Sequence, residues 1–172
     1  MTSRMEKMAP EALGAVEATK ARAKGLTGVF EQLTREHGEV IAMLMRVRMS
    51  SELEVRSGLM PKIRAELLSH EAGEMTDVYP VFRQHEDLAD FAEEHQMEAE
   101  QLEETIAQLS AVPYEDELWP SRFDDLYDLV TRHVREEEEE YFPSASRALG
   151  REESERILTR YQVTKARVMK TK

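Results

Sequence analysis

The chain has 172 residues, of which 23 are lysine or arginine and 35 are aspartate or glutamate, so its formal net charge is −12. An apolar fraction of 41% is sufficient for a buried core, whereas the lack of cysteine excludes disulfides, thiol nucleophiles and cysteine-bound zinc or iron–sulfur clusters. The acidic balance argues against nucleic acid as a partner. No segment is long and apolar enough to cross a membrane, and the first 24 residues lack the apolar core of a signal peptide, so we expect a cytoplasmic protein.

The predicted elements are helices. Residues 10–24 form a short helix that begins at Pro10 and is followed by Gly25. Apolar residues then recur at helical spacing in four longer segments, and a tail helix follows. The four segments lie at about 29–47, 61–79, 87–109 and 120–142, and the tail helix lies at about 152–168. Four amphipathic helices with short connections predict an all-α fold, an up-down four-helix bundle with additional N- and C-terminal helical segments.

Prolines and charge indicate where these elements begin and end. Pro61 suits the first turn of the second long helix, and Pro143 ends the fourth. Residues 1–25 carry five basic and three acidic side chains and residues 151–172 carry seven and three, whereas residues 26–150 have a net charge of −18. We therefore divide the chain into an N-terminal helical extension (1–28), a four-helix bundle (29–148) and a basic C-terminal helical tail (149–172).

Polar side chains interrupt the apolar stripes of all four long helices. Four of the five histidines lie on these stripes, one on each helix: His37, His70, His95 and His133. His70 and His133 are each followed four residues later by a glutamate, Glu74 and Glu137, which shares the same helix face. One histidine of this kind is usually a hydrogen-bonded core residue. Four histidines and two glutamates in one core instead favour a bound cation, because buried charges are costly unless they are paired or bind a cation. A mixed set of imidazoles and carboxylates suits iron best, then manganese or zinc.

The order and spacing of these residues resemble the hemerythrin-like, HHE cation-binding family over residues 29–148. The resemblance rests on the following motifs: REHGEV with His37, LLSHEAGE with His70, AEEHQ with His95 and RHVREEEEEYFP with His133. It implies a non-haem di-iron centre of two Fe ions in the bundle core, with Zn or Mn as substitutes. The four histidines then correspond to ligands, Glu74 to one bridging carboxylate, and Glu137 or Glu138 to the other. The apolar stripe favours Glu137, because position 138 lies about 140° from His133 around the helix.

The sequence departs from the oxygen-carrying members on its third long helix. Those members have a second histidine four residues before the one that matches His95, and here that residue is Phe91. Glu71 matches an additional carboxylate ligand in the domain of the iron-sensing F-box protein, so we include it among the metal ligands; Glu98 is a less favoured replacement. His85 follows Pro80 in a predicted loop, and we interpret it as a surface residue.

The loss of an imidazole changes the expected function. A carboxylate in its place adds negative charge and favours the ferric state, so a plain oxygen store is disfavoured. We expect a centre that binds or reacts with a small diatomic or peroxide ligand (O2, NO or peroxide), and we leave open whether the protein is an enzyme. The alternatives are an iron- or oxygen-responsive sensor or partner-binding module, and iron storage without catalysis.

Further side chains bear on this choice. Tyr79, Tyr127 and Tyr141 are candidates to donate a hydrogen bond at the centre, although aromatic packing with a solvated hydroxyl is the favoured interpretation. In the tail, Ile157 and Tyr161 share one helical face with other apolar residues. We expect this face to pack against the bundle or against a second subunit, as in a homodimer formed through the termini. The remaining alternative is that the termini bind another protein partner.

Overall fold

A computed structural model describes residues 8–171, and within them the secondary structure is helical, without strands. The α-helices are α1 (Pro10–Ala23), α2 (Val29–Arg48), α3 (Leu53–Gly73), α4 (Tyr79–Phe82), α5 (Ala89–Ser110), α6 (Trp119–Glu136) and α7 (Phe142–Met169). Two π-helical turns, Glu74–Val78 and Glu137–Tyr141, join α3 to α4 and α6 to α7, and a 3₁₀ turn, Glu86–Leu88, precedes α5. No helix among the described residues has both the length and the apolar content that a bilayer span requires.

The four long helices α2, α3, α5 and α6 form the bundle, because each of them packs against two of the others in a closed ring. This arrangement confirms the predicted all-α bundle fold. The additional helices also pack on it: α1 lies along α2, and α7 lies against α2 and α3. The contact between α1 and α2 is close, since a Cβ atom at Gly14 would lie 2.8 Å from the Arg35 carbonyl oxygen.

Two apolar clusters fill the bundle and leave a polar layer between them. The first cluster includes Val40, Leu44, Ile63, Leu67, Leu102, Ile106, Trp119, Phe123, Leu126 and Val130. The second cluster includes Phe30, Leu33, Val78, Tyr79, Phe82, Ala92, Tyr141, Phe142, Ile157 and Tyr161. On α2, His37 lies between Leu33 of the second cluster and Val40 of the first. The polar groups are therefore enclosed by apolar side chains on both sides along the bundle.

The start of the second long helix was predicted wrongly. The helix begins at Leu53, and Pro61 lies in its interior instead of in its first turn. An interior proline costs about 3 kcal/mol because it removes a backbone hydrogen bond. Burial of Met60 and packing of Val55 and Leu59 on the first cluster offset that cost, so the helix extends two turns further towards the N-terminus than its proline suggests.

The end of the fourth long helix also differs from the prediction. Pro143 does not stop the chain's helical course, because it occupies the first turn of α7, where its missing N–H is not needed. The break comes instead at Gly150, whose φ of 74° and ψ of 173° suit a residue without a side chain. Beyond Gly150 the second part of α7 returns to the bundle, where Ile157 and Tyr161 are fully buried. The expected packing of the tail face against the bundle is thus confirmed.

Candidate metal centre

The six inward groups identified from the sequence meet in the polar layer. Glu74 and Glu137, each the first residue of a π-helical turn, are completely buried in the middle of it. The His70 Nε2 atom lies 3.3 Å from Glu74 Oε1, and the His133 Nε2 atom lies 3.4 Å from Glu137 Oε2. The His37 Nε2 atom approaches Glu137 Oε2 to 3.2 Å. Glu137 thus has imidazole nitrogens of more than one helix beside it.

These residues form two overlapping sets of candidate ligands. One set is His37, His70, Glu74 and Glu137, and the other is Glu74, His95, His133 and Glu137. Within each set the potential ligand atoms all lie within 4.8 Å of one another. Both carboxylates belong to both sets.

The polar layer contains many buried atoms without a hydrogen-bond partner. In the described part of the chain, nine buried side-chain nitrogen or oxygen atoms have no hydrogen-bond partner, and seven belong to these six residues. They are His37 Nε2, His70 Nε2, His95 Nδ1, His133 Nε2, both Glu74 oxygens and Glu137 Oε2. Buried polar atoms are nearly always satisfied in folded proteins, so such a concentration indicates a missing partner. The site offers imidazole nitrogens and carboxylate oxygens, and no cysteine. Such ligands suit iron, manganese or zinc, so the residues fit an ion of this kind.

Three imidazoles are held from behind by further carboxylates. The Nδ1 atoms of His37, His70 and His133 lie 2.7–2.8 Å from oxygens of Glu138, Glu36 and Glu98, respectively. An Nδ1–H donated to a carboxylate fixes the tautomer and leaves Nε2 free for a metal. The structure therefore brings Glu137 into both ligand sets and places Glu138 and Glu98 behind imidazoles.

His95 has a different environment, which involves Glu71. The His95 Nε2 atom lies 2.7 Å from Glu71 Oε1 and 3.7 Å from Glu74 Oε2, and its Nδ1 atom lies 3.5 Å from Glu137 Oε1. Glu71 is buried at the edge of the second set without belonging to it. His85 lies between α4 and the 3₁₀ turn and belongs to neither set.

Protons balance the buried negative charge when no metal is bound. Burial and the adjacent charge of Glu137 raise the pKa of Glu74. Burial alone would raise the pKa of Glu137 as well, but the charges of His133 and His37 lower it. Burial alone would lower the pKa of His37 and His133, but neighbouring carboxylates raise the pKa of each to about 9. Cations compete with these protons, because ligand histidines must be neutral.

Sequence reasoning underestimated Tyr79. Its hydroxyl is completely buried and donates a hydrogen bond to Glu137 Oε1, and its ring stacks on the His95 ring with centroids 3.6 Å apart. The expectation of a solvated hydroxyl is therefore wrong for this tyrosine. Tyr141 donates to Glu94 instead, and Tyr127 packs under the Arg48 guanidinium.

Three residues near the centre carried no predicted site role: Glu36, Tyr161 and Lys165. Glu36 is the neighbour of His37, yet its carboxylate accepts hydrogen bonds from His70 Nδ1 and from the Tyr161 hydroxyl. These contacts join residues 34 and 125 positions apart, so no local motif contains them. An acidic residue beside a stripe histidine was the one available signal.

Comparison of the sequence with known proteins shows which family this chain belongs to. The family model described as the hemerythrin HHE cation binding domain matches residues 14–145. An uncharacterized hemerythrin-like protein of Schizosaccharomyces pombe is 20% identical over 142 residues, which cover 81% of this chain and 70% of that protein. No solved structure matches the chain. The family match over most of its length shows that this chain belongs to the hemerythrin HHE cation-binding domain family.

Proposed function

We propose that the protein is a non-haem di-iron protein whose centre binds or reacts with O2, NO or peroxide. The observation that carries the proposal is the convergence of unpartnered histidine and glutamate atoms around two shared, buried carboxylates. In this proposal His37 and His70 would hold one iron, and His95, His133 and Glu71 would hold the other, with Glu74 and Glu137 shared between the two sites. Zinc and manganese are substitutes that the same ligand atoms accept.

The space beside the centre suits a small reactant. A cavity of about 30 Å³ is lined by His37, His70, Glu71 and His133 and by apolar side chains of the first cluster such as Val130. A cavity of this size has room for a water, a diatomic molecule or peroxide. When bound, a pair of iron ions supplies one-electron redox steps and open coordination positions for such a ligand.

The surrounding side chains have defined roles in this proposal. The outer carboxylates Glu36, Glu98 and Glu138 hold three imidazoles with Nε2 directed inward. Burial and the charges of Glu137 and Glu74 raise the pKa of Tyr79 well above its usual range, so its hydroxyl stays protonated and donates to Glu137. Phe91 stands where the oxygen carriers have an imidazole, and Glu71 as a ligand in its stead adds negative charge that favours the ferric state and hence reaction over reversible carriage.

The test is a reaction of the iron-loaded, reduced protein under argon. One equivalent each of O2, NO and peroxide is added separately, and the visible absorption of the centre is followed by stopped flow. We expect at least one reactant to oxidise or bind the centre much faster than it reacts with the same concentration of free ferrous iron. His85→Ala is the matched control and keeps that rate, because His85 lies in neither ligand set. A fully loaded protein that reacts no faster than free iron contradicts the proposal.

An iron- or oxygen-responsive sensor is the second candidate, and one contact favours it. Tyr161, in the second part of α7, reaches Glu36 behind His70, so an element outside the four-helix bundle contacts the support of the centre. A change in the exposure of α7 on metal loading, without turnover of any of the three reactants, would favour the sensor.

A further inference from the structure

One carboxylate links the C-terminal part of α7 to the metal centre. The Oε2 atom of Glu36 lies 2.8 Å from His70 Nδ1, 2.5 Å from the Tyr161 hydroxyl and 2.8 Å from Lys165 Nζ. The Tyr161 hydroxyl is also 3.1 Å from His70 Nδ1. Two of the three groups around this oxygen therefore come from α7, and the third is the imidazole that it holds.

The Glu36 carboxylate is fixed on both of its oxygens. Gln32 Nε2 donates to Oε1 at 2.8 Å, and only 8% of the Glu36 side chain is exposed. Lys165 is anchored in turn by Glu66, 2.8 Å from its Nζ. Four hydrogen-bond donors thus surround the Glu36 carboxylate.

The backbone is shaped to receive this part of α7. A Cβ atom at Gly73 would lie 2.5 Å from the Tyr161 ring, so only a glycine lets the ring lie against the end of α3. A Cβ atom at Gly28 would lie 2.6 Å from the backbone carbonyl carbon of Ser154. The Ser154 hydroxyl donates to the Thr27 carbonyl beside it. Two close approaches therefore seat this helix at the level of His70.

We propose that residues 151–169 are a positioning element of the metal centre. Tyr161 and Lys165 fix Glu36, Glu36 orients His70, and the metal ion held by His37 and His70 is retained more tightly than it would be without them. The inference rests on the proposed di-metal centre, but it requires only that a metal binds there. The family match ends at residue 145, so it does not include Tyr161 or Lys165 and hence not their contacts with Glu36.

The coupling is reciprocal. If the docked helix strengthens metal binding at His70, then metal bound there must strengthen docking of the helix by the same factor. A metal ion at His70 therefore changes how firmly this helix is docked. The outer face of the helix, which includes Arg160 and Arg167, is exposed, so the change is accessible at the surface of the protein.

The experiment compares release of ferrous iron from the full chain under argon. Wild-type protein, Tyr161→Phe and Lys165→Met are loaded with iron, then mixed with excess ferrozine, and the coloured complex is followed in time. Tyr141→Phe is the matched control, because its hydroxyl also donates to a carboxylate, Glu94, but Glu94 supports no histidine of the centre. Loss of the carboxylate that hydrogen-bonds a ligand histidine typically weakens metal binding by about 10–100-fold, and the two variants loosen such a carboxylate, Glu36. We expect one of the two iron equivalents to leave at least about tenfold faster from Tyr161→Phe and Lys165→Met, with the second equivalent and the control unchanged.

The possible results separate this inference from the proposed function. A wild-type chain that binds no iron refutes the proposed function itself. If the wild-type chain holds two irons and the variants release both of them at the wild-type rate, the positioning role is overturned. Equal acceleration of both equivalents also overturns it, since that result is general destabilisation. Limited trypsin digestion gives a second readout: iron should slow cleavage at Arg160 and Arg167 in the wild-type chain and protect Tyr161→Phe much less, and equal protection of both chains overturns the coupling.

Discussion

Gly28→Ala is the sharpest test of how α7 is seated. Gly28 precedes α2 with φ of 58° and ψ of −127°, a region that residues with a side chain rarely adopt. A Cβ atom there would lie 2.5 Å from Ser154 Oγ and 2.6 Å from the Ser154 carbonyl carbon. The second contact is with backbone, so a rotation of the Ser154 side chain does not relieve it.

Two costs add in this variant. Backbone strain of this kind costs about 1–3 kcal/mol, and an overpacked buried contact costs about 1–3 kcal/mol more. The free energy of unfolding should therefore fall by roughly 4 kcal/mol. For a chain of this size, about 2–4 °C is lost per kcal/mol, so Tm should fall by about 10 °C.

Gly25→Ala is the matched control. Gly25 also has a positive φ, 83°, but a Cβ atom there would have no neighbour within 4 Å. This variant should lose only the strain, about 1–3 kcal/mol. The assay is urea unfolding of metal-free protein, followed by circular dichroism at 222 nm. Equal losses in the two variants would refute the reasoning, because they would mean that Ser154 does not lie against residue 28.

The remaining predictions concern the centre and its surroundings. His70→Ala and His133→Ala should each lose bound metal while the helices persist, and His85→Ala should keep its metal. Elemental analysis measures the metal and circular dichroism the helices, and full metal content in both histidine-ligand variants would exclude the assigned ligands. The free energy of unfolding of the metal-free protein should fall as pH rises. The pKa values of His37 and His133 are about 9 in the folded chain and exceed the unfolded value of 6.5. The two protonated histidines therefore contribute their full stabilisation below pH 6.5, and this stabilisation is lost as pH passes 9. The expected loss is on the order of a few kcal/mol in urea titrations, and a flat profile from pH 6 to 9.5 would contradict it. Leu126→Ala removes a fully buried side chain of the first cluster and should cost about 2–5 kcal/mol, without changing the metal content of the folded chain.

The residues that converge on the centre were predictable because each lies on a periodic stripe. His70 and Glu74 share a helix face at a spacing of four, and the same is true of His133 and Glu137. Helical periodicity also favours Glu137 over Glu138, and the Glu138 carboxylate lies behind His37. These are local properties, and a single sequence contains them.

What the sequence did not indicate depends on contacts between distant segments. Pro61 suggested a helix start, but Met60 is buried and Val55 and Leu59 pack on the first cluster, which keeps the preceding turns helical. Tyr161 has an ordinary place on an apolar stripe, and its role follows only from meeting Glu36 across 125 residues. Tyr79 was expected to have a solvated hydroxyl because nothing in its neighbourhood reveals the buried carboxylate of Glu137 beside it.

The most direct test of the account is the metal content of the purified chain. Protein expressed with ample iron and purified without chelators is analysed for iron, zinc and manganese, beside His70→Ala prepared in the same way. The account predicts about two iron ions per wild-type chain and a clear loss in the variant. One zinc ion per chain, or no metal in the wild-type protein, would contradict the di-iron centre.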